Sequence, residues 1–147
     1  MTDIRVRIDN YKFDMRACGI LEYEGKVLIS TEVDGTQTLS GGAVKLGETS
    51  EEAVVREFLE ETNLHVTVDK LIAVVENLFE FESSPYQQVI FVYSLSLNEN
   101  EQQELICKEK VNASWVNKNL VTMLKPELLN ELVGLETKGV LHMTNKD

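Results

Sequence analysis

Residues 41–64, GGAVKLGETSEEAVVREFLEETNL, constrain this chain most: a glycine-punctuated loop runs directly into a helix-forming segment. Thr49 followed three residues later by Glu52 is a capping box ahead of a periodic run, which predicts an N-cap at Thr49. At about 100° per residue, Val54, Val55, Phe58, Leu59 and Thr62 share one arc of that helix, and Ala53, Arg56, Glu57, Glu60 and Glu61 share the other. The first arc is expected to pack, with Val54, Phe58 and Leu59 as anchors. Asn63 follows the last periodic residue and is expected to cap the helix in the left-handed conformation, where Asn is the best substitute for Gly.

The charged arc asks for a counterion. Glu57 lies at i,i+3 to Glu60 and i,i+4 to Glu61, and each unanswered like-charge pair costs a helix about 0.2–0.5 kcal/mol. Oxygen-only ligands at such spacing suit a hard divalent cation, and the small Ala53 is expected to leave room above the carboxylates for a metal and a phosphate. Arg56, at the edge of the cluster, is placed to orient a carboxylate by a bidentate pair or to hold part of an anionic substrate. A lone E-x-x-E-E run is more often a solvated acidic face; the preceding loop is what raises this one above that reading.

Gly42, Glu48, Arg56, Glu57, Glu60, Glu61 and Leu64 resemble the Nudix box, G-x5-E-x7-R-E-U-x-E-E-x-G-U with U a bulky apolar residue. The departure is Asn63, where the pattern has its last glycine. Counting Gly41, the resemblance covers 24 of 147 residues, and the order of strands around it is also similar to the family. The resemblance implies an α/β fold, a Nudix α/β/α sandwich with a mixed sheet, as a single domain over residues 1–147. It implies Mg²⁺, with Mn²⁺ as substitute, held by Glu60, Glu61 and the carbonyl of Gly41. Glu57 is implied as ligand or general base, Arg56 as orienting the acids, and Gly42, Gly47 and Glu48 as supporting the loop. Many relatives have proline before the two glycines, and Ser40 here is expected to loosen the loop slightly. Many also carry a His-Glu pair whose glutamate lies near the metals. Gln87 and Gln88 stand at those positions; Gln88 is expected either to coordinate a metal through its carbonyl or to hydrogen-bond a base, without charge in either case, with Glu76 or Glu80 as candidates for the missing carboxylate.

Elsewhere the chain reads mainly as strands. Ile4, Val6 and Ile8 alternate with Arg5 and Arg7, predicting a half-buried first strand. Strands are expected near 16–23 and 26–31 around a Glu24-Gly25 hairpin, then near 37–39 after an Asp34-Gly35 turn. Further extended segments are expected at 65–68 and 71–79. After a Ser83-Ser84-Pro85 turn, a strongly apolar strand at 87–97 is expected to be central in the sheet. Residues 98–104 read as a solvated acidic loop, and 105–108 and 113–116 as short strands, with Trp115 in the core or stacking on a base. Pro126 and the stripe Leu128, Leu129, Leu132, Val133, Leu135 predict a C-terminal helix ending at Lys138-Gly139.

A chain of 147 residues suffices for one core. Its 14 Lys and Arg against 25 Asp and Glu give a net charge of −11, which argues against general binding to nucleic-acid backbones or anionic membranes. No apolar run is long enough to span a membrane and no export signal is visible, so a cytoplasmic protein is expected. Cys18 and Cys107 are expected in the core, and His65 and His142 lack ligand-spaced partners.

The function implied by the resemblance is metal-dependent hydrolysis of a nucleoside diphosphate linked to another group X. The absence of a long N-terminal extension favours MutT-like action on nucleoside triphosphates over ADP-ribose, dinucleoside polyphosphates or capped RNA ends. The alternative from another class is a Nudix-fold sensor that binds a nucleotide without cleaving it. Arg5, Arg16, Lys45 and Tyr86 are candidates for substrate contact, and the protein is expected as a monomer or homodimer.

Overall fold

The computed structural model describes residues 2–98, 103–107 and 112–147. The chain enters as β1 (Arg5–Ile8), turns with Asp9 in the left-handed conformation, and returns as the long β2 (Tyr11–Tyr23). Glu24 and Gly25, both at positive φ, close the hairpin into β3 (Lys26–Thr31). After the Asp34-Gly35 turn come β4 (Gln37–Leu39) and β5 (Gly41–Ala43), then helix α1 (Ser50–Thr62). The longest strands follow, β6 (Val66–Phe81) and β7 (Ser84–Leu97), joined by a two-residue turn at Glu82 and Ser83. β8 (Asn112–Asn117), 3-10 turns at Lys118–Leu120 and Glu127–Leu132, and β9 (Leu141–Lys146) complete the described chain.

The strands form one mixed sheet in the order β4-β3-β2-β7-β6-β9. β2 and β7 run parallel, as do β6 and β9, and the other pairs are antiparallel. β1, β5 and β3 pair with successive stretches of β2, while β7 follows it from Lys12 to Leu21. The fold is α/β with β7 central, as expected.

Because side chains alternate across a strand, β2 feeds two cores. Ala17 and Leu21 pack with Ala53, Val54 and Phe58 of α1, and with Tyr93 and Leu95 of β7. Cys18 and Ile20 face the other way, toward Val121, Leu124, Leu129 and Leu132. Thr49 and Glu52 form the capping box, and Asn63 caps the far end at φ 64. The buried arc of α1 is Ala53, Val54, Phe58, Glu61 and Thr62, rotated from the expected one. Leu59 is 38% exposed and anchors little, and Ala53 lies in the core instead of leaving space above the acids.

Other expectations need correction. β1 is exposed along its whole length, with Val6 and Ile8 in solvent, because it pairs only with the end of β2. Residues 105–107 are not a strand and Cys107 is exposed; residue 108 and most of the expected 98–104 loop lie outside the described residues. The predicted C-terminal α-helix is a 3-10 segment, without a side-chain cap, that gives way to Gly134 at φ 78. Beyond Gly139 the chain forms β9, which no pattern in the sequence announces. Ser40 is buried, with its hydroxyl 2.6 Å from that of Ser30. Among the described residues, no helix is long and apolar enough to cross a membrane.

Candidate active site

The loop from Gly41 to Glu48 and the first two turns of α1 converge on Arg56. Its Nε and Nη2 donate to the two carboxylate oxygens of Glu48 at 3.0 and 2.7 Å, the planar bidentate pairing that a guanidinium favours. Nη1 donates to Glu57 at 2.9 Å and to Glu60 at 3.0 Å, and Nη2 also reaches the carbonyl of Ala43 at 3.1 Å. Glu48 accepts in addition from the backbone N–H of Lys45, which ties the loop shut beneath the helix. The hydrogen bonds from Arg56 hold the Glu48 carboxyl below its ordinary pKa, and Glu48 and Glu57 together keep the guanidinium more firmly protonated than usual. One cation thus answers three of the acids. Glu61, the fourth, is buried.

Gly42 brings this cluster against the loop backbone. A Cβ there would lie 2.6 Å from the carboxylate of Glu57, so only glycine lets that acid approach. A Cβ on Gly41 would meet the carbonyl oxygen of Ala17 at 2.1 Å, because β5 presses flat against β2. Gly41 and Gly42 also line a cleft of about 550 Å³ on the sheet face opposite α1. That volume lies in the ordinary range for a small-molecule site. The two glycines are therefore a thin partition, with acids on one side and cleft on the other.

The cleft gathers some of the candidate residues and leaves others out. Arg16 and Tyr86 line it, together with Gln88 and Glu80. Arg16 is held by Asp14, its Nη1 at 3.3 Å from Oδ2, and Tyr86 stacks on Phe79 with ring centres 5.0 Å apart. Arg5 does not line the cleft; it is largely exposed and reaches Asp14 only at 3.7 Å. Lys45 contributes its backbone to Glu48 and its side chain is not in the cleft wall. Glu76 lies outside the cleft, its Oε2 2.6 Å from Nε2 of His142. Glu80 sits at the exposed end of the β6–β7 hairpin. The carbonyl of Gln88 accepts from Asn77 at 3.0 Å. Trp115 packs beside the α1 core and tilts against Tyr23, away from the cleft.

Sequence reasoning missed Asp14, Asn77, Asn145 and Lys12. Asp14 and Asn77 are buried polar residues in the middle of long strands. Asp and Asn are poor strand formers, and that mismatch was the available signal. Lys12 donates from Nζ to the hydroxyl of Tyr86 at 3.1 Å.

The donor set around Gly42 is oxygen-only and suits a hard cation. Among the described residues, no three acidic, His or Cys side chains already stand at ligand spacing, because Glu48, Glu57 and Glu60 turn toward Arg56. Rotation of Glu57 and Glu60 away from the guanidinium is what coordination would require.

The fold and this loop–helix site define a Nudix protein, and comparison with known proteins agrees. The profile of the NUDIX domain matches residues 14–132, and the chain belongs to that family. It is 45% identical over 60 residues to an ADP-ribose pyrophosphatase of Methanocaldococcus jannaschii, an alignment spanning 38% of this chain and 36% of that protein. It is 33% identical over 94 residues to the NAD-capped RNA hydrolase NudC of Yersinia enterocolitica, spanning 63% of this chain and 33% of that one. The chain therefore matches only about a third of the length of these relatives. The fold is similar to the crystal structure of a MutT protein from Bacillus halodurans, with TM-score 0.69, 18% identity and 90% of each chain covered. Nudix proteins generally need a divalent metal.

Proposed function

We propose that this chain, as one domain over residues 1–147, hydrolyses a phosphoric anhydride in a nucleoside diphosphate linked to a group X, with nucleoside triphosphates the first class to test. The observation that carries this reading is the knot of Glu48, Arg56, Glu57 and Glu60 set behind Gly42 at the lip of the cleft. A phosphate chain leaving the cleft past Gly41 and Gly42 meets the acids there.

Glu60, Glu61 and the carbonyl of Gly41 are the groups that would hold Mg²⁺, with Mn²⁺ as substitute. A divalent ion there supplies charge screening for the pyrophosphate and polarises the P–O bond under attack. The chain's own residues do the rest. Arg56 keeps Glu48 and the loop in place while Glu57 and Glu60 turn. Glu57, shielded from solvent at 14% side-chain exposure, is assigned as the carboxylate that takes a proton from the attacking water. Arg16, fixed by Asp14 in the cleft wall, is the cation placed to meet a phosphoryl oxygen from the nucleotide side.

The test is release of phosphate or pyrophosphate from a panel of nucleoside triphosphates, ADP-ribose and dinucleoside polyphosphates, with Mg²⁺, Mn²⁺ or EDTA. Metal-dependent release from one class, lost in Glu61→Gln, supports the reading. Nucleotide binding without release from any class would overturn it in favour of a non-cleaving sensor.

A further inference from the structure

The cleft floor carries a row of side-chain amides that the proposed hydrolysis does not use. Asn145, Asn77 and Gln88 are cross-strand neighbours on β9, β6 and β7, and all three line the cleft. Asn145 donates from Nδ2 to Asn77 Oδ1 at 2.7 Å, and Asn77 donates from Nδ2 to Gln88 Oε1 at 3.0 Å. The relay therefore has a direction, and it leaves Nε2 of Gln88 as the donor at its end. Asn77 is only 4% exposed. Burying an amide in place of an apolar strand former is costly unless its bonds are made, so the position is occupied for what it holds.

Asn77, donating to Oε1 of Gln88, thus holds Gln88 in one of its two orientations. Asp14 is the cross-strand neighbour of Gln88 on β2 and is 6% exposed, and its Oδ1 has no hydrogen-bond partner among the described residues. Two residues along the same strands, the stacked rings of Tyr86 and Phe79 offer an apolar wall to the cleft.

We propose that Gln88 is a specificity-determining residue that reads the edge of a nucleobase, its Nε2 donating to a ring nitrogen or carbonyl oxygen while Asn77 and Asn145 hold its orientation. This rests on the reading of the cleft as a nucleotide site, but not on turnover. Gln88 then serves substrate choice and not metal binding, and its lack of charge is a requirement: a carboxylate at this position would repel the acceptor it must contact.

The test is calorimetric binding of AMP, GMP, CMP, UMP and ribose 5-phosphate without added metal, which bypasses hydrolysis. The expected result is that the best nucleotide binds about tenfold more tightly than ribose 5-phosphate, and that Gln88→Glu and Gln88→Met each cut this margin about fivefold or more, as loss of one buried hydrogen bond requires. Affinity for ribose 5-phosphate stays the same in both variants. No margin in the wild type, or a margin that both Gln88 variants retain, would overturn the proposal. A hydrolase that fails in the substrate panel but shows the Gln88-dependent margin would fail as an enzyme alone.

Discussion

The two faces of the sheet are covered in opposite ways. On one, α1 is a capped thirteen-residue helix whose Ala53, Val54 and Phe58 are fully buried. Full burial of such side chains stabilises the contact by roughly 1.5–3 kcal/mol each for the larger ones. On the other, 3-10 turns bury Leu129 and Leu132 but stop short, and the polar row of Asp14, Gln88, Asn77 and Asn145 lies beside the opening they leave. The tightly covered face fixes groups that must not move, namely the anchors of the acid-bearing helix. The incompletely covered face has room for a ligand. Gly41 and Gly42 are where the two meet, and their lack of side chains lets the acids of one face approach the cleft of the other.

Breaking the acid side should have the largest effect. Glu57→Gln or Glu61→Gln is expected to lower kcat by at least about 10²-fold, the scale of a lost proton acceptor, with an unchanged circular dichroism spectrum. Near-normal turnover in both variants would remove the acids from the mechanism. Arg56→Met comes next. It strands Glu48, whose side chain is 7% exposed, and is expected to cost about 2–4 kcal/mol in denaturant unfolding, discounted for the partial exposure of Arg56. No loss of stability would show that the guanidinium is not the hub of the loop.

The two glycines separate stability from activity. Gly41→Ala must displace backbone and should destabilise by about 2 kcal/mol or more, whereas Gly42→Ala displaces only the mobile end of Glu57. For Gly42→Ala we expect a loss of roughly tenfold in kcat with a thermal midpoint near that of the wild type, by the sensitivity of catalysis to misplacement. Equal thermal midpoints for the two variants would contradict the partition.

Acid should act through Glu48. Its carboxyl is held below the ordinary value of 4.5, so the stability that it contributes is fully present above that pH and is lost as pH falls through the depressed value. Unfolding followed between pH 6 and 3 should show this loss in the wild type and a smaller one in Arg56→Met. The smallest effect concerns the thiols. Burial pushes the Cys18 thiol up to about 12, while Cys107 is exposed. At pH 8 an alkylating reagent should modify Cys107 and reach Cys18 only after unfolding.

The same contrast explains what was legible in the sequence. The Thr49–Glu52 box, the Asn63 cap, the Glu24-Gly25 hairpin and the bounds of β3 are local devices, and each forms where its residues stand. The C-terminal region is not locally determined. Leu128, Leu129 and Leu132 satisfy helical and 3-10 spacing alike, and Gly134 breaks the stripe before Leu135. β9 alternates only weakly and forms because β6 offers it a parallel edge. The rotation of the α1 arc has the same origin. Leu59 is the more apolar residue, but Ala53 and Glu61 are the ones buried. Of the site, the acids and Arg56 were visible as a motif. The amide row was not, because its members lie on three strands distant in sequence and meet only through register.

The most direct test of the division between the faces is to measure kcat on the best substrate, and dissociation constants for its nucleoside monophosphate, in Glu57→Gln and Gln88→Glu. The account predicts that Glu57→Gln abolishes kcat and leaves nucleotide affinity within about twofold, and that Gln88→Glu weakens affinity about fivefold or more while retaining most of kcat at saturation. If both variants lost the same parameter, acids and amides would form one site with one role, and the account would be wrong.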